Sequence, residues 1–181
     1  FWKDVKPLDE VIDVDYYLPG CPPPFGLVAE AVNAILEGNL PEKGTVLGPQ
    51  KALCESCDRN ASKPEELNIT EFKRLATATP DPEKCFLADG FLCMGPATRD
   101  GCGQPCINGN MPCRGCFGPP PDSLDPGLKM LSAIASQGVA DKEDDAQVLA
   151  DSLADPLGTY YRFGLPASML KRSTTGERSN S

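Results

Sequence analysis

None of the 181 residues is a histidine. That absence excludes Ser-His-Asp and Cys-His catalysis, zinc fingers with two histidine ligands, and haem held by a histidine. Aromatic side chains are scarce at 7 %. Basic residues are outnumbered, 17 against 26 acidic, for a net charge of −9. No basic stripe is visible, so nucleic acid is not an expected partner. No apolar run approaches the roughly 18 residues of a membrane span, and the amino end carries no signal-peptide pattern. The expected location is therefore cytoplasmic. What remains is a chain with 40 % apolar residues, enough to bury the core of one domain or two small ones. Its 19 prolines and 17 glycines require much of it to be loop. Its nine cysteines have to carry the function.

The cysteines stand at 21, 54, 57, 85, 93, 102, 106, 113 and 116. Eight lie in the 63 residues from Cys54 to Cys116, bracketed by two C-x2-C pairs, Cys54/Cys57 and Cys113/Cys116. Three readings compete. A disulfide framework suits secreted domains, and Asn-x-Ser/Thr triplets occur at Asn60 and Asn68, but an odd cysteine count and no secretory signal argue against it. Two zinc sites with four thiolates each suit the C-x2-C pairs. Two [4Fe–4S] clusters need the same eight thiolates. Cys93 to Pro121 has 12 Gly or Pro among 29 residues, which sustains neither helix nor strand. Such a backbone has to fold around something, and its freed N–H groups can point at sulfur. Ile107, Met111 and Phe117 are the apolar candidates to exclude water there. This favours iron–sulfur over zinc without closing the choice.

Val11 to Leu18 is β-branched and aromatic and reads as a strand ended by Pro19-Gly20. Tyr16 and Tyr17 would then point to opposite faces, one into the core and one toward a partner. Cys21-Pro22-Pro23-Pro24 forms a rigid turn, and residues 25–37 give a helix with Leu27, Ala31 and Ile35 on one face and Gly38 as its stop. Asn68 to Leu75 suggests a short helix. Asp125-Pro126 starts another, with Leu128, Leu131, Ile134 and Ala135 as its apolar face and Gly138 closing it. Residues 141–153 read as an acidic amphipathic helix with Ala146, Leu149, Ala150 and Leu153 inward. Its Asp141–Asp145 run is a solvated first turn. Tyr160, Tyr161 and Phe163 are read as docking residues, Phe1 and Trp2 as packing against a further part of the protein, and residues 171–181 as a disordered tail.

Asp15-Tyr16-Tyr17-Leu18-Pro19-Gly20-Cys21-Pro22-Pro23 resembles the motif near the end of the flavodoxin-like domain in [NiFe]-hydrogenase small subunits. In that family the cysteine of Gly-Cys-Pro-Pro is the last ligand of the proximal [4Fe–4S] cluster, which makes Cys21 one member of a set whose other ligands lie earlier in the chain. None of those is present here, so the sequence is expected to be the carboxy-terminal part of a small subunit. The other eight cysteines resemble the family's two-cluster region. Cys54 stands where the family usually has a histidine, and the resemblance assigns Cys54, Cys57, Cys85 and Cys93 to the distal cluster. Cys102, Cys106, Cys113 and Cys116 fall to the medial one, with Cys106 as the fourth ligand that distinguishes four irons from three. Gly95-Pro96-Ala97-Thr98 and Asp155 to Phe163 look most like group 3 cytoplasmic enzymes, the methyl-viologen-reducing and deazaflavin-reducing hydrogenases of methanogens. The likeness spans about residues 5 to 170.

The fold class implied is α+β. Residues 1–45 would end a flavodoxin-like domain, 46–124 would form an irregular two-cluster iron–sulfur domain, and 125–170 a helical carboxy-terminal segment. The function implied is electron relay from hydrogen oxidation at a nickel–iron centre on a large subunit, through proximal, medial and distal [4Fe–4S] clusters. The acceptor would be a flavoprotein or deazaflavin-binding subunit, or an adaptor of the heterodisulfide-reductase type. No catalytic residue is expected in this chain. Arg114, between Cys113 and Gly115, would either raise a neighbouring potential or pair with a carboxylate on another subunit. A zinc-stabilised interaction module and an iron–sulfur domain of a different oxidoreductase remain the competing readings.

Overall fold

The structure is a computed structural model that describes residues 5–137 and 143–170, with the side chains of 143–145 left aside. The expectations for Phe1, Trp2, Gly138, the Asp141–Asp145 side chains and residues 171–181 fall outside this range. Five α-helices are present: α1 Phe25–Glu37, α2 Pro105–Asn108, α3 Pro126–Gln137, α4 Glu143–Ser152 and α5 Pro156–Tyr160. Most of the connecting chain is loop, interrupted by short 3-10 turns. Extended pairing among the described residues is confined to isolated bridges, parallel at Tyr17–Val46 and antiparallel at Ala52–Arg99. The molecule is thus mixed and helix-rich with little β structure.

The strand expected over Val11–Leu18 reduces to that bridge at Tyr17. A strand is stable only beside others, and this chain supplies one short neighbour around Val46. Tyr16 and Tyr17 are both half-buried, their hydroxyls donating to the Pro41 carbonyl and to Asp9. The helix expected over 68–75 is absent as well. Ile69 and Phe72 are buried from irregular backbone, and the Phe72 N–H donates to Ser152 Oγ at 2.9 Å, a tertiary bond that replaces a helical one.

Helix α1 forms where periodicity placed it. Gly38 adopts the left-handed conformation at φ 67° and its N–H closes on Ala34 and Ile35, which ends the helix without a Cβ penalty. None of its residues is buried, and Phe25, Val32, Ile35 and Leu36 are exposed. Its apolar face therefore has no partner among the described residues.

The core lies elsewhere. Leu53, Phe86, Leu87, Phe91, Met94 and Ile107 join Met130 and Ile134 of α3, Leu149 of α4 and Tyr160 and Tyr161 at α5. Helix α3 buries Gly127, Met130 and Ile134, whereas Leu128 and Ala135 face solvent. The reason is the close approach of α5. A Cβ at Gly127 would stand 2.5 Å from the Tyr161 ring, so the smallest residue, not the leucine beside it, sets the contact face. The Asp125 carboxylate anchors this corner, accepting from Leu128 N–H and Met169 N–H, both at 2.9 Å. On α4 only Leu149 is fully buried and Leu153 packs beside it, while Ala146 and Ala150 are exposed. Tyr160 and Tyr161 are core residues and not docking residues, and of that trio Phe163 alone is exposed. Ile107 and Phe117 are buried as expected, but Met111 is exposed at the end of a turn.

Candidate metal centres

Cys54 and Cys57 sit on and just after a 3-10 turn, Leu53–Ser56, that is pinned at several points. Leu53 is buried and its N–H donates to the Thr98 carbonyl at 2.8 Å. Glu55 accepts the Ala52 N–H at 2.6 Å, and the Asp100 carboxylate accepts from Ser56 Oγ at 2.6 Å and pairs with Lys51. Cys85 is placed by its N–H to Ser62 Oγ at 2.7 Å. Cys93 lies where Met94 N–H meets the Cys113 carbonyl at 3.0 Å, so the two ends of the Gly/Pro-rich loop run side by side.

These constraints bring Cys54, Cys57, Cys85 and Cys93 to the wall of one cavity, closed by Leu53, Phe86, Leu87 and Ile107. Gly95 completes it. A Cβ there would lie 3.0 Å from Cys54 Sγ and 3.5 Å from Cys93 Sγ, so both sulfurs rest against a backbone that has no side chain to push them away. Arg59 also lines this cavity. It is buried, its guanidinium donates to the carbonyls of Asp81, Lys84 and Ile107 and to Asn110 Oδ1, and it stacks 4.2 Å over the Phe86 ring. Sequence reasoning missed Arg59, because one arginine in a polar stretch carries no pattern. It missed Arg99 for the same reason. That guanidinium is buried on the carbonyls of Pro49 and Pro119 and holds the two flanks of the cysteine region together.

Cys102, Cys106, Cys113 and Cys116 form a second neighbourhood. Cys102 and Cys116 raise the pKa of the Cys113 thiol, and Cys106, Cys102 and Cys21 raise that of Cys116, in each case after burial, the largest cause. Cys21 therefore lies on the side of this second group, exposed, next to the cis Cys21–Pro22 bond. In the first group, burial foremost, and then Cys85 and Cys57, push the Cys54 thiol up to about 12. Burial likewise pushes the Cys93 thiol well above its ordinary value, with Cys113 adding to it. Metal-free, these thiols keep their protons, and any metal that binds has to displace them.

Backbone N–H groups point at the sulfurs. Cys93 Sγ accepts from Cys113 N–H at 3.3 Å and also receives Gly95 N–H, Cys102 Sγ accepts from Gln104 N–H at 3.3 Å, and Gly115 N–H reaches Cys113. The Cys113 thiol donates to Thr98 Oγ1 at 3.5 Å. Such donors stabilise negative charge on sulfur. Gly115, at φ 89°, makes its turn possible. Arg114 beside it is exposed and has no ion pair or hydrogen bond among the described residues. Among those residues no three Cys, Asp or Glu side chains converge closely enough to hold a single metal ion. The thiols stand apart around a space, as a multi-atom cluster requires. The set is all sulfur, buried in part and supplied with N–H donors, and so fits iron–sulfur ligation.

No protein-family model matches the chain. Curated relatives do. They are subunits of hydrogenases, which are oxidoreductase complexes. The iron-sulfur subunit of an F420-non-reducing hydrogenase from Archaeoglobus profundus is 42 % identical over 177 residues, covering 95 % of this chain and 54 % of that protein. The corresponding F420-non-reducing hydrogenase subunit from Methanothermobacter thermautotrophicus is 44 % identical over 169 residues, covering 92 % of this chain and 53 % of the relative. Its counterpart from Methanothermus fervidus is 43 % identical over 119 residues, covering 64 % of this chain and 93 % of the relative. The chain belongs to this family of F420-non-reducing hydrogenase subunits. It spans about half the length of the first two of these relatives. No helix among the described residues is long and apolar enough to cross a membrane.

Proposed function

We propose that this chain is the electron-relay portion of a [NiFe]-hydrogenase complex, with Cys54, Cys57, Cys85 and Cys93 holding a distal [4Fe–4S] cluster and Cys102, Cys106, Cys113 and Cys116 a medial one. Cys21 is one ligand of a proximal cluster. Residues 46–124 form the two-cluster region, residues 1–45 the end of a flavodoxin-like domain, and residues 125–170 its helical flank. Bound there, iron–sulfur clusters supply one-electron redox chemistry, and the nickel–iron centre that splits hydrogen belongs to a large subunit. The chain's own residues do three things. The thiols, once deprotonated, ligate. The N–H groups of Gly95, Gln104, Cys113 and Gly115 hold negative charge on sulfur, and Leu53, Phe86, Ile107 and Phe117 keep water out, which together set the potential.

The observation that carries the reading is the division of the eight thiols into two neighbourhoods, with Cys21 beside the second. That spatial order, Cys21 then the medial set then the distal set, supports a relay in that sequence. The relatives are by name hydrogenases that do not reduce F420, a deazaflavin. This favours an adaptor of the heterodisulfide-reductase type over a deazaflavin-binding subunit as the partner.

The test is iron and acid-labile sulfide analysis of anoxically purified protein, with a visible absorption spectrum. About eight irons per chain and broad absorption near ~400 nm support the reading. About two zinc ions and a colourless sample refute it and leave the cysteines a structural role.

A further inference from the structure

A cavity of about 470 Å³ opens beside Cys116, between the Tyr17–Gly20 segment and the Leu124, Phe163 and Ala167 side of the molecule. Its volume lies in the range of specific binding sites. Most of its wall is apolar, and two of the apolar residues reach solvent: Leu124 is 97 % exposed and Phe163 49 %. The polar groups of the wall are mostly committed. Asp9 accepts from the Tyr17 hydroxyl, the Arg99 guanidinium is spent on main-chain carbonyls, and Ser168 Oγ donates to the Leu165 carbonyl. Two are not. The Tyr160 hydroxyl is buried, its residue only 3 % exposed, and has no hydrogen-bond partner. The Arg114 guanidinium stands at the same wall, free among the described residues.

A buried hydroxyl without a partner is costly, and an uncommitted guanidinium in a chain of net charge −9 is a local exception. One offers a proton to an acceptor and the other offers a fork for an anion. Both needs are met by a carboxylate carried on an apolar stretch of polypeptide. We propose that this cavity is the socket for a carboxylate-bearing segment of the hydrogenase large subunit, with Arg114 pairing the carboxylate, Tyr160 donating to it or to an adjacent carbonyl, and Leu124 and Phe163 gripping the apolar flank. The proposal rests on the hydrogenase reading of the chain. The socket would also cover the Cys116 side of the second thiol group and shield it from water.

The experiment measures the dissociation constant between the full chain and the large subunit across ionic strength, with iron counted in every variant. Arg114→Glu should weaken binding at least about tenfold and flatten its salt dependence, while Arg114→Lys, which keeps the charge, stays close to wild type. Tyr160→Phe should weaken binding about tenfold. Iron content should not change in any of the three. A photo-crosslinking residue in place of Phe163 should capture a large-subunit peptide containing Asp or Glu. Unaltered affinity in Arg114→Glu overturns the proposal, as does iron loss in that variant, or capture of a second copy of this chain. Wild-type chain that binds the large subunit through these residues but carries no iron would sink the relay reading while supporting the socket.

Discussion

Replacing Gly95 by alanine tests the geometry of the first thiol group directly. The added methyl would sit 3.0 Å from Cys54 Sγ and 3.5 Å from Cys93 Sγ. Apolar contacts are most favourable at ~3.5–4.0 Å, so Cys54 has to retreat by about half an ångström or more. It has little room to do so. Its turn is fixed by buried Leu53, by the Leu53–Thr98 bond at 2.8 Å and by Asp100 on Ser56. Cys93 is held by the Cys113 N–H at 3.3 Å. Overpacking of this kind costs about 1–3 kcal/mol in a well-packed core. The larger effect should be on assembly, because four thiolates have to meet one cluster at once. The assay is iron and labile sulfide per chain together with a urea midpoint. The expected outcome is a fall from about eight to about four irons, the medial cluster surviving. A Gly95→Ala protein with full iron and an unshifted midpoint would show that Cys54 and Cys93 do not rest on this backbone.

Three other perturbations address separate parts of the molecule. Gly127→Ala drives a methyl into the buried Tyr161 ring at 2.5 Å and should cost about 1–3 kcal/mol in urea unfolding; an unshifted midpoint refutes the α3–α5 contact. Cys106→Ala removes one medial thiolate and should give a three-iron centre with an EPR signal in the oxidised state, whereas unchanged spectra would take Cys106 out of the ligand set. For Asp100, burial alone raises the carboxyl pKa, but the hydrogen bonds from Ser56, Gly101 N–H and Lys51 outweigh it and hold the group below the usual carboxylate range. A depressed folded pKa contributes stability above the unfolded value of ~3.9 and loses it as pH falls through the folded one. Asp100→Asn should therefore destabilise at neutral pH and unfold with a shallower acid limb, and a limb identical to wild type would refute the assignment.

What could be read from the sequence was punctuation and periodicity. Pro24, Gly38 and Pro126 bound α1 and α3 where the apolar spacing placed them, because these residues act through their own φ angles and missing N–H groups. Which face a helix buries was less legible. Leu128 looked inward by hydrophobicity, but the Tyr161 ring selects Gly127, a contact between residues more than thirty positions apart. Tyr160 and Tyr161 were misread in the same way, since an aromatic pair at the end of a chain segment gives no sign of what it meets. The Val11–Leu18 strand failed because composition measures willingness to pair and says nothing about the number of neighbours. The cysteine grouping was readable from spacing and resemblance, but the arginines that clamp the region were not.

Arg59 has a consequence for the order in which the molecule comes together. Its guanidinium donates to acceptors 22, 25, 48 and 51 residues further along the chain. Closing loops of that length has to precede any reward, so this clamp forms late. During synthesis Arg59 and Cys54 leave the ribosome with none of these partners made, and they wait until Asn110 has followed. Over that interval the four thiols of the first group are unshielded and open to oxidation. The cell therefore has to deliver iron and sulfide to a finished, reduced polypeptide rather than to a growing one, and Arg59 is the latch that closes once it has done so.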